Sequence, residues 1–184
     1  MELHFPDSLD EHITRRCMQR WPTHMWFNAW MTVAARWTPI LMMGSIALIV
    51  VGFFPGTASP RCLHASAFAA IAAAIVGRLV NEPLSRWVRR PRPFESLQVL
   101  PLIFHKGGDA FPSNHTTGAF ALAFGCSHIP GYFEVLLALA ILLSAARVYT
   151  GLHHLSDVIA GALHGSLLGS IAAWIAVVLL HTCR

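Results

Sequence analysis

Apolar residues in this chain occur in long blocks that polar residues rarely interrupt. Residues 37–54 (WTPILMMGSIALIVVGFF) carry no charged side chain, and residues 158–180 form a second block without a formal charge. At about 1.5 Å per residue, a helix of about 18 residues reaches roughly 27 Å, close to the thickness of a bilayer's hydrocarbon core. Each block therefore predicts a membrane-spanning helix.

Shorter apolar blocks predict the remaining spans, over residues 63–80, 115–128 and 132–146. Arg78, near the end of the first of these, could snorkel towards the interface or face inward. In the last predicted span Gly161, Gly165 and Gly169 recur every four residues, a spacing that lets membrane helices approach closely. The pattern predicts an all-α fold, a polytopic membrane helical bundle with about five transmembrane helices.

The N-terminal residues 1–36 mix charged and aromatic side chains. Asp10, Glu11 and three arginines alternate with tryptophans and other large apolar residues, as in a helix lying among lipid headgroups. A soluble helix packed on the domain explains the same pattern equally well. We therefore predict two parts, an N-terminal interfacial amphipathic arm over 1–36 and a transmembrane domain over 37–184.

Five spans would place the three polar segments 1–36, 81–114 and 147–157 on one side of the membrane. Segment 81–114 contains four prolines before position 102, so we do not expect one continuous helix there. A polar loop of this length is more often functional than idle.

The charges of the chain are few and nearly all arginine. Charged residues make up 12% of the sequence, and the net charge of +4 includes a single lysine, Lys106. The guanidinium fork binds phosphate in a bidentate manner, which favours a phosphate-binding role. Ordinary topology signals in cytoplasmic loops are the alternative explanation.

Two polar segments carry candidate chemistry. In FPSNHTTGAF, Ser113 or Asn114 is a good N-cap, and the following helix would point its free N–H groups at an anion, with His115 in the first turn. In RVYTGLHHLSD, His153 precedes Asp157 by four residues. We expect the Asp157 carboxylate to accept a hydrogen bond from one imidazole nitrogen of His153, fix its tautomer and leave the other nitrogen free to attack.

Each of these residues alone has an ordinary explanation. A histidine at a membrane interface is commonly an amphipathic anchor, arginines are commonly topology charges, and an aspartate in a first helical turn is commonly a dipole partner. Three segments that each bring a cation, an imidazole or a helix N-terminus to one face are harder to explain this way. Their convergence predicts a site for phosphoryl chemistry.

The segments RPRPF (90–94), PSNH (112–115) and RVYTGLHHLSD (147–157) resemble the three signature motifs of the type 2 phosphatidic acid phosphatase (PAP2) superfamily. The resemblance covers about residues 78–170 and is nearest to the bacitracin-resistance undecaprenyl-diphosphate phosphatase branch. It differs at two positions. Ser85 stands where the family's first motif usually has lysine, with Arg86 beside it, and Asn114 stands where glycine often precedes the motif histidine.

The resemblance implies a role for each matching residue. His153 is the nucleophile that forms a phosphohistidine, Asp157 orients it, and His115 protonates the leaving group. The phosphoryl oxygens are held by the remaining matched residues and by a stand-in for the lysine, namely Arg92, Arg147, Ser113, Asn114 and Arg86. Arg89 or Arg90 could replace the lysine instead of Arg86. Neither a metal nor another cofactor is implied.

The resemblance thus predicts a lipid-phosphate phosphatase of the bacterial inner membrane, an undecaprenyl-diphosphatase that serves lipid-carrier recycling in cell-wall synthesis, with its site facing the periplasm. Its partners would be a polyprenyl or other lipid phosphate and membrane lipids, without nucleic acid. Phosphatidylglycerophosphate, phosphatidic acid and lipid A phosphates remain alternative substrates. A histidine-rich membrane metal protein is a second alternative. Arginine counts by side would instead place the site in the cytoplasm.

Overall fold

The structure, a computed structural model, describes residues 9–53 and 59–179. It begins with a short helix α1 (Leu9–Arg20), a turn, and a long helix α2 (Met25–Val50). Helix α3 (Pro60–Val88) starts at the N-cap Ser59, whose side chain accepts a hydrogen bond from the Cys62 amide. The helix ends where Arg89 adopts a left-handed conformation (φ 52°), two residues before Pro91.

The second half of the chain supplies the central helices. A single turn, α4 (Pro93–Ser96), is followed by an irregular stretch and by α5 (Asn114–Gly125). Helix α6 (Tyr132–Tyr149) and helix α7 (Leu155–Trp174) follow, and residues Ile175–Leu179 extend α7 as a π-helical turn. The described residues contain no β-strand, so the predicted all-α class is confirmed.

Four helical stretches are long and apolar enough to cross a membrane, Met25–Val50, Pro60–Ser96, Tyr132–Tyr149 and Leu155–Val178. Helix α5 has 12 residues, which at about 1.5 Å per residue is roughly 18 Å and too short to cross alone. The chain is a multi-pass membrane protein of four to five apolar helices, as the hydrophobic blocks predict.

Helix α5 lies in the centre of the bundle, against the glycine face of α7. A methyl group added at Gly161 would lie 2.8 Å from the Ser113 carbonyl oxygen, and one at Gly169 would lie 2.7 Å from that of Ala121. Gly165 meets the backbone of Thr117 more closely still. Because only glycine allows this backbone-to-backbone contact, the predicted close approach of the last span is confirmed and its partner is α5.

Several helix bounds differ from the predicted ones. Helix α3 continues past Pro83 to Val88, beyond the predicted end at residue 80, because one proline removes a single backbone hydrogen bond without ending a well-packed helix. Helix α2 begins at Met25 and crosses the predicted boundary between residues 36 and 37 without interruption. The end of the block at residue 54 and the final residue of the block 158–180 lie outside the described residues.

The predicted convergence of the polar segments is present at one end of the bundle. The Trp21 indole N–H donates to the Tyr149 carbonyl oxygen at 3.1 Å, which joins the N-terminal segment to segment 147–157. The Arg90 guanidinium donates to Asp157 at 2.6 Å, which joins segment 81–114 to segment 147–157. All three segments therefore meet around one site.

Candidate active site

A pocket of about 180 Å³ lies at the end of the bundle where α5 begins and α6 ends. Five segments supply its walls: α3, the stretch between α3 and α5, the start of α5, the end of α6, and the turn after α6. Its basic and imidazole side chains are Arg78, Arg92, His105, His115, Arg147 and His153. The pocket therefore unites His153, His115, Arg92 and Arg147 as the motifs predict.

The imidazole of His153 is buried, with 3% of the residue exposed, and hydrogen bonds define its tautomer. Its Nδ1 lies 2.9 Å from the Ala110 carbonyl oxygen, which can only accept, so Nδ1 carries the hydrogen. Its Nε2 lies 3.1 Å from Nη1 of Arg92, which can only donate. The lone pair of His153 is therefore on Nε2, where it accepts from Arg92 in the pocket wall.

Burial lowers the pKa of His153 well below 6.5, and the positive charges of Arg92 and Arg147 lower it further. A protonated imidazole has no lone pair to give. The same surroundings that bury His153 therefore keep its Nε2 nucleophilic at neutral pH.

Two of the three pocket arginines, Arg92 and Arg147, leave hydrogen-bond donors unused among the described residues. Arg92 donates from Nη1 to the Leu152 carbonyl oxygen at 2.9 Å and from Nη2 to that of Asp109 at 3.3 Å, but its buried Nε has no partner among the described residues. The buried Nε of Arg147 also lacks a partner in the described part of the chain. Unpaired buried donors on two cations are costly, and an anion in the pocket would satisfy them.

The start of α5 presents His115 and Asn114 to the same pocket. Asn114 is held by Asn81 of α3, whose side-chain N–H donates to the Asn114 side-chain oxygen at 2.9 Å. Asn81 also donates to the Thr117 hydroxyl at 2.9 Å, and its oxygen lies 2.8 Å from Nδ1 of His164. This network fixes the residue that stands where the family often has glycine.

Asp157 does not accept the predicted hydrogen bond from His153. Its Oδ2 lies 3.9 Å from the His153 Nδ1 and instead accepts from the His154 backbone N–H at 2.8 Å. Its Oδ1 accepts from Nη1 of Arg90 at 2.6 Å. The carboxylate caps α7 and pairs with Arg90, and the Ala110 carbonyl takes the orienting contact that the sequence assigns to Asp157.

Arg86 and Ser113 also lie elsewhere than predicted. Because α3 continues to residue 88, Arg86 is on its exposed surface and pairs with Glu82 at 2.8 Å, away from the pocket. Ser113 is fully buried below the pocket, where its hydroxyl accepts from the Thr116 hydroxyl and its N–H donates to the Asp157 carbonyl oxygen. Neither residue is in the pocket wall, so the predicted phosphate contact of each is corrected.

Arg78 and His105 are pocket residues that the motifs do not include. Arg78 lies seven residues, about two helical turns, before Ser85, so a helix brings it to the face where the family's lysine stands. The seven-residue spacing of Arg78 and Ser85 is a sequence signal for this placement, but it is informative only if α3 continues past residue 80. His105 has no signal in its neighbouring sequence. Burial lowers its pKa, and Arg92 and Arg147 lower it further.

Within residues 9–53 and 59–179 no three His, Cys, Asp or Glu side chains form a group that could hold a metal ion. Positive charge in the pocket instead comes from guanidinium groups.

Comparison with known proteins identifies the family. The model of the PAP2 superfamily matches residues 63–181, well over half of the sequence. The chain belongs to the PAP2 superfamily. The residues that line the pocket, from Arg78 to His153, all lie within the matched region.

Three PAP2 relatives are informative. The YbjG protein of Escherichia coli (strain K12) is 37% identical over 86 residues, 46% of this chain and 43% of that protein. The lipid A 1-phosphatase of Rhizobium johnstonii is 35% identical over 102 residues, 52% of this chain and 41% of that protein. The undecaprenyl-diphosphatase BcrC of Bacillus subtilis is 27% identical over 128 residues, 68% of this chain and 63% of that protein. The chain thus spans less than half the length of the first two.

Two solved structures share the PAP2 fold. The crystal structure of Aquifex aeolicus LpxE has a TM-score of 0.73 at 22% identity and covers 94% of this chain and 98% of that one. A transmembrane PAP2-type phosphatidylglycerolphosphate phosphatase from Bacillus subtilis has a TM-score of 0.67 at 22% identity, covering 99% and 90%. These likenesses establish the arrangement of the helices.

Proposed function

We propose that this PAP2 protein is an undecaprenyl-diphosphatase, which releases phosphate from a lipid diphosphate and leaves the lipid monophosphate. The observation that carries the proposal is the pocket in which the unprotonated Nε2 of His153 accepts a hydrogen bond from Arg92, with His115 and Arg147 in the same wall. A polyprenyl tail can stay in the bilayer while its phosphates enter the pocket at the bundle's end.

The reaction has two displacements. The Nε2 lone pair of His153 attacks the terminal phosphorus, an N–P bond forms, and the P–O bond to the bridging oxygen breaks. Burial and the charges of Arg147 and Arg92 lower the pKa of His115 to about 3, so we propose that the negative charge of the bound diphosphate raises it and that His115 enters the step protonated. His115 then gives this proton to that oxygen. Water then attacks the phosphorus, His115 takes the proton of the water, and the N–P electrons return to Nε2 as phosphate leaves.

The chain's own groups supply the stabilisation that phosphoryl transfer requires. Phosphoryl oxygens accept from the unused donors of Arg92 and Arg147, and they take over the hydrogen bond that Arg92 gives to Nε2 at 3.1 Å. The Ala110 carbonyl keeps the hydrogen on Nδ1 of His153 and favours the charge that develops there. Asp157 acts through the backbone of the turn that carries the nucleophile.

Support for a diphosphate comes from the number of side chains in the pocket wall that can donate hydrogen bonds to phosphate. Arg92 and Arg147 suffice for one phosphoryl group, while Arg78 and His105 remain for a second. The similarity to BcrC of Bacillus subtilis points to the same class of substrate. A lipid A 1-phosphate is the second candidate, because a lipid A 1-phosphatase is among the relatives.

A substrate panel tests the proposal on the purified protein. Phosphate release is measured from undecaprenyl diphosphate, undecaprenyl phosphate, phosphatidylglycerophosphate, phosphatidic acid and lipid A. We expect the highest kcat/KM for the lipid diphosphate. Arg78→Gln should lower that value about tenfold, the loss of one charged contact, while Arg61→Gln at the other end of α3 leaves it unchanged. A preference for any monophosphate would contradict the proposed substrate.

We further propose that the protein lies in the bacterial inner membrane with the pocket facing the periplasm and the N-terminal arm at the interface. Exposed Met25 and Trp26 at the start of α2 are suited to such an interface. An impermeant maleimide on intact cells should label Lys106→Cys, near the pocket, and should not label Ser127→Cys at the opposite end, both in a Cys17→Ser background. The reverse labelling pattern would place the site in the cytoplasm.

A further inference from the structure

Helix α1 reaches the turn that carries the nucleophile, although residue 10 lies outside the matched PAP2 region 63–181. Oδ1 of Asp10 accepts a hydrogen bond from the Ser156 backbone N–H at 3.0 Å. Its Oδ2 accepts from the Ser156 hydroxyl and from Nη2 of Arg90, the latter at 2.8 Å. Ser156 is in the first turn of α7, so Asp10 satisfies a helix N–H that would otherwise lack a partner.

Arg90 continues the connection from Asp10 to the nucleophile. Its Nη1 donates to Ser156 and to Asp157, each at 2.6 Å, and its own carbonyl oxygen accepts from the Ala110 N–H at 2.8 Å. The Ala110 carbonyl in turn fixes Nδ1 of His153. Arg90 thus holds both sides of the nucleophile, the start of α7 through its side chain and Ala110 through its backbone.

The other end of the N-terminal segment contacts the beginning of the same turn. Trp21 donates to the Tyr149 carbonyl oxygen. At Gly151, where φ is +78°, an added methyl group would lie 2.9 Å from Met18 and 3.1 Å from Trp21. The segment therefore contacts residues 149–157 at both ends, through apolar and indole contacts at one and through a carboxylate at the other.

We propose that α1 is a positioning element of the catalytic site, in which Asp10, acting through Arg90, holds the His153 turn in its reactive geometry. The proposal rests on the proposed function in one respect, that His153 is the nucleophile. Asp10 touches neither substrate nor reacting atoms. It is a positioning residue contributed by a segment outside the PAP2 motifs.

The charges of this cluster explain why Asp10 matters. Arg90 is 7% exposed and Asp157 fully buried, and a buried pair is stable only when its remaining hydrogen-bonding groups are satisfied. Asp10 supplies a second carboxylate, which accepts from Nη2 of Arg90. Burial would raise the pKa of Asp10, but hydrogen bonds from Ser156 and Arg90 outweigh it and hold the pKa below 3.8. Asp10 is therefore ionised at neutral pH.

The test compares Asp10→Ala and Asp10→Asn with Glu11→Gln, a neighbouring carboxylate that pairs with Arg15 on the exposed side of α1. Asp10→Ala should lower kcat and the rate of phosphoenzyme formation about tenfold, with KM changed less than about twofold, since the pocket wall is untouched. Asp10→Asn should recover part of the loss, because its amide oxygen still accepts from Ser156. Glu11→Gln should match the wild type.

Hydrogen–deuterium exchange of residues 149–157 supplies a readout independent of activity. We expect faster exchange there in Asp10→Ala and unchanged exchange in Glu11→Gln. A variant that loses thermal stability while its folded fraction keeps the wild-type kcat and exchange would overturn the inference. If the wild type releases no phosphate from any lipid phosphate, the proposed function fails, and the exchange comparison still decides whether Asp10 holds the turn.

Discussion

Two neighbouring regions of the bundle bury polar side chains, but they differ in whether the hydrogen-bonding groups of these side chains are paired. Between α3, α5 and α7, the amide of Asn81 is fully buried, and it bonds Asn114, Thr117 and His164. In the pocket wall, the buried Nε atoms of Arg92 and Arg147 have no partner among the described residues. The satisfied network joins helices, whereas the unsatisfied donors are available for a ligand.

The contrast separates residues that make the fold from residues that make the chemistry. Polar groups between α3, α5 and α7 must pair with one another because lipid offers no hydrogen bonds. A pocket can keep unpaired donors only where the fold is stabilised elsewhere, here by close contacts between α5 and the glycines of α7. Substitutions in the pocket should therefore lower activity, and substitutions in the contact between α5 and α7 should lower stability.

Replacement of the nucleophile gives the largest expected effect. His153→Gln should lower kcat at least about 1,000-fold, because no other described imidazole has a lone pair directed at Arg92. Its thermal midpoint should stay within about 2 °C of the wild type, since only the contacts with Ala110 and Arg92 are altered. Phosphate release and thermal unfolding measure the two quantities. Substantial turnover by the folded variant would remove His153 from its assigned role.

Replacement of Arg147 in the pocket gives the next largest effect. Arg147→Lys keeps the charge but loses the planar fork and the unpaired Nε, so kcat/KM should fall about 30- to 100-fold while the protein stays folded. Steady-state kinetics with the lipid diphosphate measures the fall. Full activity with lysine at this position would mean that charge alone matters and that the bidentate contact is absent.

Substitution of a glycine between α5 and α7 should have the opposite effect, a loss of stability and not of catalysis. Gly165→Leu places a side chain against the α5 backbone and should lower the thermal midpoint by about 5–10 °C, with activity lost in proportion to unfolded protein. Gly44→Leu is the matched control, since nothing lies within 4 Å of a methyl group at Gly44. Equal midpoints for the two variants would contradict the close packing of α5 on α7.

The smallest effect is a shift in the pH profile. His153 must be neutral to attack, and its lowered pKa means that it stays neutral as the pH falls below 6.5. The acid limb of kcat/KM should therefore lie below pH 6.5. The profile is measured with two substrates whose phosphates ionise at different pH values. A limb that ionisation of the substrate causes moves between the two, and a limb that ionisation of the enzyme causes does not. A limb above pH 6.5 common to both would contradict the buried, arginine-flanked histidine.

The sequence predicted the helical bundle and the meeting of His115, His153, Arg92 and Arg147, because apolar blocks and spaced motifs record local requirements. It did not predict that the Ala110 carbonyl orients His153, since a backbone oxygen leaves no signature in residue types. It also assigned Arg86 in place of Arg78, because the proline at position 83 concealed the continuation of α3.

Long-range pairing was the other gap. Asp10 and Ser156 are 146 residues apart, and nothing local in either segment indicates the other. Asp157 pairs with Arg90, 67 residues away, although a histidine four residues away suggested a nearer partner. Charged groups that could pair in several ways are resolved only by the packing of the helices that carry them.

Trapping of the covalent intermediate tests the central claim most directly. The protein is mixed with a lipid diphosphate labelled in its terminal phosphate, quenched in base within milliseconds, and digested for mass spectrometry. We predict an acid-labile phosphohistidine on His153, formed no more slowly than turnover. Label on His115, or turnover through many cycles with no label on His153, would contradict the account.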